Sequence, residues 1–391
     1  MLMHSGPKTL TSRPWSVLVY ASLLSCIGFA LGPVAYQAQE QNGLEARLES
    51  ARDLGPIRFL RIIRGRDVGF SARFANRSVW VFGDTPLNSA GIDGYRWRSS
   101  TWAWISDFDA HDGLGVFHEP VDRNGTPREF LPFTDEELSY NSKHNQLDLP
   151  EAERSRWALW PGPLVVDSAT GKAFVFYAKV FSRATGPFDF ESVGESIALW
   201  ERPERSPLRS QLRTRAGETT LLFPKGDAPL GSGALRAGDW LYSYGCQQQG
   251  MTFACIVGRA RFAEVLKREA WRFFAGNDHW SEDWHAAVTV MSAAPMLSVH
   301  WNNRLGRFLA VYSTPLVNTI EIRTAPRPEG PWSTGRVVIT GLAPMSEKTW
   351  DYCGMAHAEL ARDNGRVEYI TYCRDTGFLS SEIRLVQVTF K

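Results

Sequence analysis

The chain has 391 residues, of which 43% are hydrophobic and 22% charged, so a large buried core is feasible and wholesale disorder is excluded. Forty-three Lys and Arg stand against 42 Asp and Glu, a net charge of +1. That balance leaves no basic excess for a phosphate backbone and argues against nucleic acid as a partner. Fifteen Trp and 33 Gly suit tight β packing. The flat face of Trp also suits a sugar ring.

In chain order, Met1–Pro14 is polar and carries Lys8 and Arg13, and Trp15–Phe29 is almost wholly apolar. A positive segment followed by an apolar one reads as an export signal over residues 1–36, either cleaved or kept as a membrane anchor. Leu23-Leu24-Ser25-Cys26 also has the look of a lipoprotein cleavage box. The expected location is secreted or in the cell envelope, with an N-terminal membrane tether as one form. Residues 37–55 are polar and read as a tether.

From Pro56 to Lys391 one pattern recurs. A short apolar strand meets a turn, then a strand rich in aromatic and β-branched residues, then an alternating third strand. The copies are Val68–Phe74, Val79–Asp84 and Thr101–Ile105; Gly162–Val166, Ala173–Ala178 and Ser196–Trp200; Gly233–Leu235, Trp240–Tyr244 and Thr252–Val257; Met296–His300, Arg307–Tyr312 and Thr319–Thr324; and Ala356–Leu360, Val367–Tyr372 and Glu382–Val388. Each alternates apolar and polar residues, and the turns carry Gly, Asn or Asp. Such a unit cannot bury both faces alone, so repetition predicts an all-β, five-bladed β-propeller over residues 56–391. A jelly roll has similar strands but gives no reason for a five-fold repeat. Ile57–Ile63 has the pattern of a lone strand and is expected to close the last blade from the N-terminal side. Arg261–Ala270 reads as a rim helix, and Thr134–Leu138 as a helical turn.

Cys246 and Cys255 flank a turn at Gln247–Gly250, and Cys353 and Cys373 fall on neighbouring strands. In an oxidising compartment these predict the disulfides Cys246–Cys255 and Cys353–Cys373.

The chemistry should sit where first strands line the central channel. Asp67 opens the first strand of copy one and Asp84 ends the second. A hairpin brings such ends together. Paired carboxylates are the equipment of glycoside hydrolysis, one ionised as base or nucleophile and the other held protonated as acid. Trp160, His300, Trp301 and His357 fall on or beside first strands and are candidates for substrate binding. Arg374 takes in copy five the place of Asp84 and could grip a hydroxyl. Asp107, Asp109 and Asp112 alternate as calcium ligands do, but the full loop pattern is missing and a solvated loop is the reading. No phosphate loop, zinc spacing or nucleophile elbow is present, so no metal or cofactor is expected.

Asp67-Val68-Gly69 followed by Val79-Trp80-Val81-Phe82-Gly83-Asp84-Thr85 resembles the opening of domain-of-unknown-function family 4185. Tyr312-Ser313, Gly330-Pro331-Trp332 and Glu382–Val386 are compatible with it. The resemblance implies a five-bladed propeller related in shape to arabinanases, with some members endo-acting D-arabinanases of glycoside hydrolase family 183. It also implies Asp67 and Asp84 as the catalytic pair. The expectation is a glycoside hydrolase acting on a furanose-containing, arabinan-like or related extracellular polysaccharide. The alternative is a propeller that binds carbohydrate or another surface without catalysis.

Overall fold

The hairpin of the first copy shows how the blades form. Phe74 pairs with Arg77 across Ala75 and Asn76, both with positive φ (48° and 58°). Two left-handed residues in a two-residue turn match the twist of the flanking strands. Asn tolerates that backbone and Ala is strained by it. The computed structural model describes residues 46–391 apart from 147–148, 151–152, 184–188, 215–216, 251, 345–349 and 378–379. The predicted export segment, including Cys26, lies outside the described residues.

Five antiparallel sheets form the five blades. Blade one is Val68–Phe74, Arg77–Phe82 and Thr101–Ile105 from the inside out, with a bridge from Trp104 to His118 at its rim. Blade two uses Ser155–Asp167, Lys172–Arg183 and Phe190–Trp200. Blade three uses Gly233–Ala237, Trp240–Gln249 and Thr252–Arg261. Blade four is Leu297–Asn302, Arg307–Ser313, Thr319–Ala325 and Arg336–Thr340. Blade five is Tyr352–Ala356, Val367–Gly377 and Ser380–Phe390, with Leu48–Pro56 outermost.

The inner strands surround a channel. A cavity of about 260 Å³ is lined by residues of all five, among them Ser71, Leu164, Leu235, Ser298 and Met355. Blades pack on one another through large aromatic side chains. Trp80 is fully buried and stacks on His357 with centroids 4.0 Å apart. Trp200 is fully buried between Phe74 and Phe130, at 5.2 and 4.7 Å. These Trp residues hold the blades together and are unavailable to a ligand.

The closing strand is not the one expected. Leu48–Pro56 pairs antiparallel with Arg384–Phe390, and Ile57 adds one more bond from its N–H to the Ile383 carbonyl at 2.8 Å. Ile57–Ile63 is mostly irregular and instead packs Ile57 and Phe59 into the core beside Phe82 and Phe117. The closing strand runs through the stretch read as a tether. Most of its side chains are exposed, so its contribution comes from backbone pairing with the edge of blade five. Removing residues up to Pro56 should unzip that edge. A loss of roughly 3 kcal/mol corresponds to a fall of about 6 °C in Tm. A truncated protein that melts with the parent would show that the edge is held otherwise.

The helices also differ. Arg261–Ala270 holds two short 3₁₀ turns, Phe262–Glu264 and Arg268–Ala270, because Phe262 and Trp271 must both turn inward within ten residues. The turn read at Thr134–Leu138 is a full helix, Asp135–His144, started by a capping box between Thr134 and Glu137. Among the described residues no helix is long and apolar enough to cross a membrane.

Cys246 and Cys255 are direct ladder partners and are bonded. Cys353 and Cys373 are buried free thiols, contrary to the expected second disulfide. The ladder partner of Cys373 is Tyr352, and Cys353 sits in an irregularity of that ladder with φ 54°. The two thiols nonetheless lie close enough to interact, and they are not bonded to each other. Peptide mapping without reduction should recover one bonded pair and two thiols. Reduction of the bonded pair should cost about 2–3 kcal/mol, the closure entropy of a short loop. A Cys353–Cys373 cross-linked peptide would contradict this reading.

Candidate active site

The start of the first inner strand is locally strained. Val68, a β-branched residue, has φ 71°, and the ladder is irregular between Val68 and Phe70. The start of the fifth inner strand has the same character at Cys353. Left-handed backbone at non-glycine residues costs about 1–3 kcal/mol each and persists where the surroundings force it. The two strained residues flank Asp67 and Tyr352, whose side chains meet. The Tyr352 hydroxyl donates to Asp67 Oδ1.

Asp67 and Asp84 are neighbours, as the hairpin predicts. The Asp67 N–H donates to the Asp84 carbonyl at 3.2 Å, and the Gly83 N–H to the Asp67 carbonyl at 2.9 Å. Both side chains keep part of their surface. Burial pushes the Asp67 carboxyl up to about 6, against the Tyr352 hydrogen bond, and nearby Asp375 adds to the rise. Burial pushes Asp84 up to about 7. The Arg156 guanidinium and the Trp160 N–H pull it back, and Asp67 and Glu129 push it further. Trp160 Nε1 donates to Asp84 Oδ1 at 3.1 Å. The Trp named from sequence thus touches the acid directly, with its ring edge-on to Phe190 at 4.7 Å.

Two further groups complete this end of the channel. Glu129 Oε1 accepts from the Ser99 and Ser100 N–H groups, both at 2.9 Å, and from both hydroxyls. Burial nevertheless raises Glu129 to about 7. Arg156 stacks on Trp97, 3.4 Å from guanidinium carbon to ring centre, and its charge acts on both Asp84 and Glu129. Arg374 lies at the same end of blade five as expected. It is committed to protein partners, the Ala343 carbonyl at 2.9 Å and Glu382 Oε1 at 2.9 Å. Beside it Asp351 is fully buried, and burial raises it to about 7 against the pull of Arg374 and Arg384.

The histidines do not join this group. Inner strands start at the acid end and finish in turns at the far end. His300 and Trp301 are near the turn of blade four, opposite Leu309 and Phe308. The inner strand of blade five is Tyr352–Ala356, earlier than read, so His357 follows it instead of lying on it. His357 is fully buried between Ser71 Oγ at 2.6 Å and Thr371 Oγ1 at 2.8 Å, and burial depresses it to about 3. It is a neutral structural ring. Asp109 is engaged by His111 at 3.0 Å and Arg362 at 2.8 Å, an exposed ionic loop.

Sequence reasoning missed Glu129, Arg156 and Tyr352. Tyr352 had a signal: it opens inner strand five, the place Asp67 holds in blade one. Glu129 had none, because Ser99 and Ser100 meet it from about thirty residues away.

Residues 201–371 match the family model described as a domain of unknown function (DUF4185). The match runs from the end of blade two into blade five and leaves out Asp67–Thr85, the segment that carried the resemblance. No curated protein matches the sequence. Among solved structures the chain is similar to a candidate hydrolase of Bacteroides ovatus, 13% identical, with a TM-score of 0.55 and coverage of 86% of this chain and 87% of that one. It is also similar to RS223-β-xylosidase, 15% identical, TM-score 0.49, covering 85% and 95%. The α-L-arabinofuranosidase PaAbf62A of Podospora anserina, solved with cellotriose, is 10% identical at a TM-score of 0.45, covering 86% and 94%. The Bacteroides ovatus likeness is one of fold.

Proposed function

We propose that the protein is an exported glycoside hydrolase acting on a furanose-containing, arabinan-like extracellular polysaccharide. The observation that carries this reading is the Asp67–Asp84 pair. Two carboxyls sit together on the opposed ends of one inner hairpin, and burial raises both far enough to exchange protons near neutral pH.

Asp84, raised further, serves as the general acid and delivers its proton to the leaving glycosidic oxygen. Asp67, ionised and steadied by the Tyr352 hydroxyl, serves as base toward water or as nucleophile toward the anomeric carbon. Arg156 limits the rise of Asp84 and keeps it able to recharge. Trp160 holds the Asp84 carboxyl in place and offers its ring edge to the sugar. The substrate class rests on the resemblance to family 4185, and export on the apolar Trp15–Phe29 segment.

The test is release of reducing sugar from D-arabinan, L-arabinan and xylan by the parent protein, Asp67→Asn and Asp84→Asn. Hydrolysis of an arabinan lost in both variants supports the reading. Binding without release by the parent protein would instead favour a carbohydrate-binding propeller.

A further inference from the structure

The chain enters the propeller at a defined end. Tyr352 opens inner strand five at the acid end, where it meets Asp67, and antiparallel pairings lead outward from it. Tyr352 pairs with Cys373, Val367 at the other end of that second strand pairs with Thr389, and Phe390 pairs with Leu48. Leu48 therefore lies at the far end of blade five, and Pro56, nine residues along the same strand, lies toward the acid end. Ala46 is buried in one apolar cluster with Leu305 of the blade-four turn, and its carbonyl accepts from Arg336 Nη1 at 3.2 Å. The chain before Ala46 thus joins the body at the end opposite the acid pair.

The surface around that point is exposed, aromatic and cationic. The turns of blades four and five meet there, with Asn302 Nδ2 donating to the Gly365 carbonyl at 2.8 Å. Trp301 is 46% exposed, and its ring meets Phe308 edge-on at 5.0 Å. Arg304 is exposed and Arg307 half-buried, and neither has an acidic partner among the described residues. Arg47, next to Ala46, is exposed as well. Glu49 is taken by Arg366 at 2.7 Å, and Asp363 in the blade-five turn is flanked by Arg362 and Arg366. Trp and Arg together suit the boundary of a bilayer, the indole at headgroup depth and the guanidinium on phosphate.

The sequence ahead of Ala46 fits the same picture. Residues 15–35 carry no charge, 21 residues where about 20 span a bilayer. Lys8 and Arg13 precede them, which sends the body to the opposite side of the membrane. The ten residues 36–45 between that segment and Ala46 reach at most about 35 Å. Turning the acid end toward the bilayer would lift Ala46 by about 30 Å, the length of the nine-residue edge strand, and use almost all of that reach.

We propose that residues 15–35 stay in the membrane as an anchor and that the far end of blades four and five rests on phospholipid headgroups, with Trp301 at the interface and Arg304 and Arg307 on the phosphates. The acid pair then faces away from the membrane, open to a polysaccharide outside. The proposal rests on the export reading and on nothing about hydrolysis.

The experiment reconstitutes the full chain carrying Cys26→Ser in vesicles of phosphatidylcholine and phosphatidylglycerol that contain a lipid with a nitroxide headgroup. A fluorescent label is attached through Asn303→Cys in the blade-four turn or, in a separate sample, through Ile92→Cys in the loop after Asp84. Both positions are exposed, and the other cysteines are bonded or buried. The nitroxide should quench the Asn303 label strongly and leave the Ile92 label bright. Arg304→Glu with Arg307→Glu should cut the quenching of the Asn303 label about threefold or more while the chain still floats with the vesicles. Raising salt from about 0.1 M to about 1 M, which shortens the Debye length from about 10 Å to about 3 Å, should act the same way. Equal quenching of the two labels, stronger quenching of the Ile92 label, quenching indifferent to the charge reversal, or a chain that does not float each overturns the proposal. A parent protein that hydrolyses no glycan leaves it standing, and an active enzyme that fails this test leaves the proposed hydrolysis standing.

Discussion

Asp84→Asn should lower the hydrolysis of an arabinan by about 10²–10⁴-fold, the usual worth of a positioned acid. The reaction needs Asp84 protonated and Asp67 ionised. Asp67 is raised to about 6 and Asp84 to about 7. Below about 6 the base takes up its proton, and above about 7 the acid gives its own away, so the rate should peak in the narrow interval between. The limbs belong to the pair, since the Asp67 charge helps to raise Asp84. Residual activity in Asp84→Asn should lose its alkaline limb and keep its acid one. Asp67→Asn should do the reverse. A parent enzyme whose rate is flat from pH 5 to 8 would sink the assignment of roles.

The same shifts have a consequence for stability. A carboxyl raised in the folded state stabilises the fold below its unfolded value near 4, and that contribution is lost as pH rises through the folded value. Asp84→Asn removes a charge that burial disfavours. The variant should therefore melt above the parent at pH 8 and close to it at pH 4. An inactive variant that is more stable than the parent is the pattern of a functional carboxylate, whereas losing a turn cap would destabilise at both pH values.

The blades were readable because their information is local. Val79-Trp80-Val81-Phe82 alternates faces, and Asn76 marks the turn it needs, so the hairpin and the meeting of Asp67 with Asp84 follow from a short stretch of chain. The closing strand was not readable. Leu48–Pro56, Leu-Glu-Ser-Ala-Arg-Asp-Leu-Gly-Pro, has no β-branched or aromatic residue, and it is a strand because Ser380–Phe390 presents it with an unpaired edge. His357 misled for a related reason. The pattern Ala356–Leu360 was apolar enough for a strand, but the chain bends there into a 3₁₀ turn and carries the ring under Trp80. Glu129 reaches the acids from an irregular segment, and Arg156 from the start of the blade-two inner strand, which begins at Ser155, ahead of the Gly162–Val166 read for it.

The floor beneath Asp67 makes a further prediction with a large effect. The preceding residue, Arg66, is fully buried, its guanidinium 4.8 Å from the Phe59 ring centre and 4.4 Å from that of Phe82. It meets Glu119 Oε2 at 2.5 Å, and both side chains are almost wholly without solvent. Arg66 Nε and Nη1 and Glu119 Oε1 find no partner, so the pair is incompletely satisfied and a poor device for stability alone. The backbone beside it is held by Ser381: the Arg66 N–H donates to Ser381 Oγ at 3.1 Å, and that hydroxyl donates to the Arg66 carbonyl at 2.9 Å. Arg66→Met should strand the Glu119 charge and cost about 3–5 kcal/mol, as should Glu119→Leu. The double variant should recover much of that loss, because both charges are gone together. If the pair exists to hold Asp67, hydrolysis should remain depressed in the double variant while its melting temperature returns toward the parent. Full recovery of both would assign the pair to packing and leave the placement of Asp67 to Tyr352 and the strained Val68 turn.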